Sequence, residues 1–180
     1  MDPYPLPRLR GVRKSDLGRV AELEAIAFKG YGLPAASLDV MYDVSGGLWL
    51  LAADDEGDWG YSVAARGEEF GVGWIMGMAI HPARQKRGWG KYLLEATIAV
   101  LQKYEMSTIR LLVDPANEVA CQLYVDRGFK DSGDRIDHFG VNQSRILMTL
   151  LLEVPPARPE RLAQVPVDMG DFTATDQTTA

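Results

Sequence analysis

The chain has 180 residues, 47% hydrophobic and 24% charged, with a formal net charge of −6 and a sequence pI near 4.9. That length suits one domain with a sizeable core, the composition excludes gross disorder, and the acidic balance argues against nucleic acid as the main partner. Cys121, the single cysteine, excludes an internal disulfide; with only His81 and His138 as further soft ligands, no metal centre is expected. No apolar run approaches the roughly 18 residues of a membrane span. The first eight residues, MDPYPLPR, lack an apolar signal core, so no membrane role and a cytoplasmic location are expected.

In chain order, proline-rich residues 1–10 lead into an edge strand at 9–12. Ser15 is the expected N-cap of a helix whose apolar face is Leu17, Val20, Leu23 and Ala27, ending near Phe28. Residues 29–34 break it, and a short helix follows over 35–42 with Leu38, Met41 and Tyr42 inward. Gly46-Gly47 introduces a strand at 48–53; turn residues at 54–58 reverse it, and 60–66 returns as its hairpin partner. Residues 72–80 form the next strand, where Gly73 and Gly77 predict a bulge or a backbone left open to a ligand.

Residues 78–94 read MAIHPARQKRGWGKYLL. Pro82 stops the strand, a basic turn follows, and an amphipathic helix starts near Lys91 with Leu94, Ile98 and Leu101 on one stripe. Gly88 and Gly90 let backbone N–H groups approach a ligand closely. The turn feeds a helix N-terminus, where unpaired N–H groups and the dipole favour an anion. Arg84, Lys86, Arg87 and Lys91 add positive charge, which makes the stretch a phosphate cradle. A dinucleotide fingerprint would need glycine where Leu93 stands, and a Walker loop fails on both spacing and its Lys-Ser/Thr. The plain alternative is a strand-to-helix turn carrying solvated basic residues.

A buried strand at 108–113 follows the helix, and the strand–helix–strand connection makes it parallel to 72–80. Ligands favour the carboxyl ends of such strands, where Ile80 and Val113 stop. Another helix covers 118–127, closed by Gly128. Strands at 129–138 and 144–152 suit a final hairpin around a loop at 140–143. From 154 to 180 the composition turns proline-rich and aperiodic, which predicts a disordered or surface-draped tail after a domain of 1–153. The alternative is a tail that covers an apolar patch or a homodimer seam.

Q-x-x-G-x-G, carried by Gln85, Gly88 and Gly90 between strand and helix, resembles the acetyl-CoA signature of the GCN5-related N-acetyltransferases (GNAT). A second stretch, NEVACQLYVDRGF, is similar to the family's other recurrent segment through Asn117, Ala120, Leu123, Tyr124, Gly128 and Phe129. The resemblance is strongest over 72–130, and the element order extends it to about 8–152. It implies a mixed α/β (α+β) fold of about seven strands and four helices, with a central parallel pair splayed to hold acyl-CoA.

Carried over to this sequence, the resemblance implies that Met78, Ala79 and Ile80 offer main-chain groups to the pantetheine arm and acetyl carbonyl. Backbone amides of Gln85, Lys86, Arg87, Gly88, Trp89, Gly90 and Lys91 would hold the pyrophosphate, with Asn117 a further cofactor contact. Tyr124 would sit beside the thioester sulfur and hydrogen-bond or protonate the departing thiolate, while the Met78 amide stabilises charge building on oxygen. The implied activity is direct transfer of an acetyl group from acetyl-CoA to an amine acceptor, a small molecule or a protein, in a ternary complex. The alternatives are a catalytically silent acyl-CoA sensor and a transferase for another acyl-CoA.

The sequence departs from the branch that acetylates protein N-termini, whose glutamate stands five residues before the motif asparagine; here that position is Leu112. Glu68, Glu69, Asp137 and His138 are the candidates for a general base. Acceptor specificity is expected from 28–33, the loop near Glu68 and the hairpin around 137–142, with Tyr31 and Trp74 as walls. Cys121 reads as a small buried hydrophobe rather than a nucleophile. Gly60-Tyr61-Ser62-Val63-Ala64 misses the second glycine of a serine-hydrolase elbow.

Overall fold

Seven strands form one mixed sheet in the order β1-β2-β3-β4-β5-β7-β6 in the computed structural model, which describes residues 7–28, 32–136 and 144–152. The strands are β1 (Arg8–Gly11), β2 (Leu50–Asp54), β3 (Gly57–Arg66), β4 (Val72–Ile80), β5 (Thr108–Val113), β6 (Lys130–Ile136) and β7 (Arg145–Leu151). The helices are α1 (Leu17–Phe28), α2 (Ala35–Ser45), α3 (Trp89–Lys103) and α4 (Glu118–Asp126). The expected α/β architecture is therefore the observed one, down to the parallel β4–β5 pair. The tail from 154 and the loop at 140–143 lie outside the described residues.

α3 covers one face of the sheet and α1 the other. Thr97 of α3 meets Ser62 of β3 in a buried hydroxyl–hydroxyl hydrogen bond of 2.7 Å. The next β3 residue, Val63, pairs with Gly77 of β4 and points to the opposite face, where α1 brings Glu24. The amphipathic stripe of α3 is buried through Leu93, Leu94, Ile98 and Leu101. Each such side chain contributes about 1.5–3 kcal/mol relative to exposure.

Three local expectations are corrected. Ser15 is not an N-cap: a 3-10 turn already runs over Lys14–Asp16, and it is Asp16 whose carboxylate accepts the Arg13 amide at 2.8 Å. A carboxylate in the first turn outcompetes a hydroxyl here because Arg10 also holds it. Gly46–Leu48 forms another 3-10 turn that extends α2, so β2 starts only at Leu50. α3 begins at Trp89, two residues earlier than its apolar stripe suggests, because Gly88 serves as its left-handed N-cap.

The β4–β5 ladder decides what the fold can do. Val72, Gly73, Trp74 and Ile75 pair with Thr108, Ile109, Arg110 and Leu111, and the pairing stops there. Beyond it, β4 keeps β3 on one side through Met78–Ser62 and Ile80–Gly60. Leu112 and Val113 of β5 continue on β7 alone. Met76 is the extra residue of a bulge, since Gly77 and Ile75 oppose the consecutive residues Val63 and Ala64. The bulge turns the strand where the ladder ends, as the glycines at 73 and 77 predict.

Candidate active site

From Gly77 to Ile80, one edge of β4 faces no strand among the described residues, so its main-chain groups there await a partner. Met78, Ala79 and Ile80 lie on this stretch. Ile80 is less open than expected, because the Gln85 side-chain amide donates to its carbonyl at 3.0 Å. That bond folds the next loop back onto the end of the strand.

The loop then takes two left-handed steps. Lys86 has φ 62° and Gly88 φ 78°, with α3 starting at Trp89. Left-handed residues just ahead of a helix start turn successive N–H groups toward one side, a concavity suited to an anion. Nothing lies within 4 Å of where a Gly88 Cβ would be, so the cradle opens to solvent. A Gly90 Cβ would instead stand 3.7 Å from Leu123 of α4, which seats α4 against the start of α3.

The cradle side chains divide. Lys86 and Lys91 are exposed at its rim. Arg84 is turned away, paired with Asp54 at 3.0 Å and with Glu56 on the β2–β3 hairpin. Trp89 is a core residue, packed 6.0 Å from Trp59 and 6.3 Å from Tyr92, so only its amide is available. Asn117 is exposed and caps α4, its side-chain oxygen accepting the Ala120 amide at 3.1 Å.

Tyr124 lies on α4, 8% exposed, with its ring 5.6 Å from Phe129. Burial, with a smaller push from Cys121, raises the phenol to about 12. It therefore stays protonated and can donate a hydrogen bond at any ordinary pH. The Cys121 thiol donates to the Asp114 carbonyl at 3.6 Å, and burial together with the Asp114 charge pushes it up, so it is held as a thiol. Ser62, bonded to Thr97, is buried and unsuited to a nucleophilic role.

Two expected bases are displaced. Glu68 and Glu69 sit in the β3–β4 turn, at the amino end of β4, roughly 15 Å or more of strand from Gly77. Glu69 is also engaged by Arg110 at 2.6 Å, which holds its carboxyl below the usual range. The same geometry removes the Glu68 loop and Trp74 from the acceptor mouth: the Trp74 indole lies against Gly67. Asp137, His138 and Tyr31 lie outside the described residues.

Sequence reasoning missed Glu24. It is 3% exposed on α1, its Oε1 accepts the Leu33 amide at 2.8 Å, and its Oε2 has no hydrogen-bond partner among the described residues. Burial raises its carboxyl above the ordinary glutamate range, against a smaller opposing pull from the Leu33 amide. The available signal was its spacing: Glu24 follows Val20 by four residues and Leu23 by one, so it falls on the inward face of the helix.

Comparison with known proteins fits this geometry. Residues 19–129 match the Acetyltransferase (GNAT) family, and the chain belongs to it. It is 37% identical over 93 residues to mycothiol acetyltransferase of Renibacterium salmoninarum, a match covering 49% of this chain and 27% of that protein. It is 33% identical over 82 residues to the ribosomal protein bS18 alanine N-acetyltransferase of Haemophilus ducreyi, covering 43% and 57%. The matches thus span about a quarter of the first relative and little over half of the second. Among solved structures, Ard1 of Thermoplasma volcanium superposes with a TM-score of 0.74 at 15% identity, over 82% of this chain and 99% of that one.

Proposed function

We propose that the protein is an acetyl-CoA-dependent N-acetyltransferase that acts on a primary amine by direct transfer. The observation that carries this reading is the parting of β4 and β5 after Ile75–Leu111, directly ahead of the left-handed amide cradle. An open strand edge beside an anion site matches a ligand that is part extended amide chain and part diphosphate. Gly88, open on its Cβ side, lets such a ligand approach the backbone.

Acetyl-CoA supplies an activated thioester, whose acyl carbon an amine can attack with coenzyme A leaving as a thiolate. The chain's own groups do the rest. The amides of 85–91, with Lys86 and Lys91, bind the diphosphate, and the free edge of 78–80 aligns the arm, so much of the rate comes from positioning. The Met78 amide meets the negative charge that develops on the carbonyl oxygen. Tyr124 donates to the departing sulfur. Its pKa of about 12 exceeds the roughly 8.5 of an ordinary thiol, so hydrogen bonding outweighs complete proton transfer.

The acceptor is an amine of a small molecule or of a peptide. One relative is named for mycothiol and the other for an alanine of ribosomal protein bS18, while Leu112 stands where enzymes of protein N-termini carry glutamate. Calorimetry with acetyl-CoA, followed by thiol release across a panel of small amines and peptides, tests the reading. Binding with release on at least one amine is expected. Binding without turnover would make the protein a sensor, and turnover only with longer acyl donors would change the donor.

A further inference from the structure

Two side chains whose buried polar atoms have no hydrogen-bond partner among the described residues border Gly77. The atoms are Oε2 of Glu24 and the hydroxyl of Tyr61, whose side chain is wholly buried on β3. A Cβ on Gly77 would stand 4.0 Å from Glu24 Oε2, 3.9 Å from Tyr61 Cε2 and 4.0 Å from Val63 Cβ. Glycine therefore leaves a notch about one atom wide, bounded by the Glu24 carboxylate and the edge of the Tyr61 ring. Each stranded polar group costs about 1–3 kcal/mol, and an orphan of this kind calls for an explanation in function or in a bound water. The notch lies at the β4 bulge, one residue from Met78, where the strand leaves β5.

We propose that Glu24 takes the proton of the attacking amine, through a water held in the Gly77 notch between Glu24 and Tyr61. This rests on the acetyltransferase reading above and supplies the base which that reading lacks. As nitrogen bonds to the acyl carbon and the carbon–sulfur bond breaks, the electron pair leaves on sulfur, beside Tyr124. The surplus proton on nitrogen passes to the notch water, which gives one of its own to Glu24 Oε2. Glu24 returns it to solvent between turnovers. A carboxyl raised by burial suits the task, being a stronger base than an exposed one. No charged side chain of α1, α2, β3 or β4 among the described residues adds to that shift, and Tyr61 is the titratable neighbour across the notch.

The test uses the full chain, an amine that the wild type acetylates, and the variants Glu24→Gln and Gly77→Ala. Glu24→Gln keeps an oxygen for the Leu33 amide. It should lower kcat/KM by about 10²–10⁴-fold, remove the acid limb of the pH profile, and leave acetyl-CoA affinity within twofold. A second readout needs no substrate. The folded Glu24 holds its proton more tightly than the unfolded one, so its stabilising effect is complete below the ordinary carboxyl range. That effect is lost as pH rises through the raised value. The wild-type Tm should fall over that interval and the Glu24→Gln Tm should not. Gly77→Ala meets only ordinary contacts, so it should fold, displace the water and cost at least tenfold in kcat. Either variant turning over within threefold of wild type would overturn the proposal, as would loss of acetyl-CoA affinity in parallel with activity. A wild type that binds no acetyl-CoA or acetylates no amine overturns the acetyltransferase reading, and the role of Glu24 with it.

Discussion

The side-chain amide of Gln85 donates to the main-chain carbonyl of Ile80 across 3.0 Å, tying the anion loop to the strand that precedes it. One side chain thus couples the two halves of the proposed cofactor site. Gln85→Ala should weaken acetyl-CoA binding by about 1 kcal/mol, roughly fivefold, the net worth of one hydrogen bond. Calorimetry reads this directly, and kcat at saturating cofactor should change little.

Gly88 and Gly90 should respond differently to alanine. Gly88 sits at φ 78°, where a Cβ costs about 1–2 kcal/mol and the loop would relax away from its left-handed turn. A Gly90 Cβ would meet only Leu123, at an ordinary 3.7 Å. Gly88→Ala should therefore lower Tm by several degrees and weaken acetyl-CoA at least tenfold. Gly90→Ala should keep its Tm within about two degrees, as melting curves with and without cofactor will show.

Tyr124→Phe removes a hydroxyl that makes no hydrogen bond among the described residues, so stability should hold or rise slightly. If that hydroxyl meets the leaving sulfur, kcat should drop about 10²-fold or more with acetyl-CoA affinity unchanged. Because the phenol titrates near 12, no basic limb from this group should appear below about pH 11. Steady-state kinetics across pH checks all three points.

Lys91 and Arg84 are both basic and the sequence alone would treat them alike, yet their settings differ. Lys91→Ala should weaken acetyl-CoA severalfold and flatten its dependence on salt. Arg84 is committed to Asp54 and Glu56, so Arg84→Ala should lower Tm while leaving the salt dependence of binding in place. Titrations at two ionic strengths separate the cases.

Periodicity located nearly every element, since the apolar stripes of α3 and β5 are uninterrupted and glycines punctuate the turns. Element ends were less legible, because Asp16 and Gly88 set helix starts by contacts that their residue types do not announce. The anion loop was readable because its function resides in backbone that glycine exposes. Glu24 was not, because a glutamate on an amphipathic helix is ordinarily a solvated residue; only tertiary packing against β4 gives it a buried oxygen without a partner among the described residues. Arg84 misled for the converse reason, its charge being spent on a hairpin remote in sequence.

The parting of β4 from β5 carries one more consequence. Main-chain groups along 77–79 that no neighbouring strand among the described residues satisfies are an unmet demand, which a bound cosubstrate with amides of its own would fill. At a hundred times its Kd such a ligand adds about 2.7 kcal/mol to folding stability. The lifetime of this protein against proteolysis should therefore follow the metabolic supply of its donor, and its abundance would report the acetyl charge of its surroundings before a single acceptor is modified.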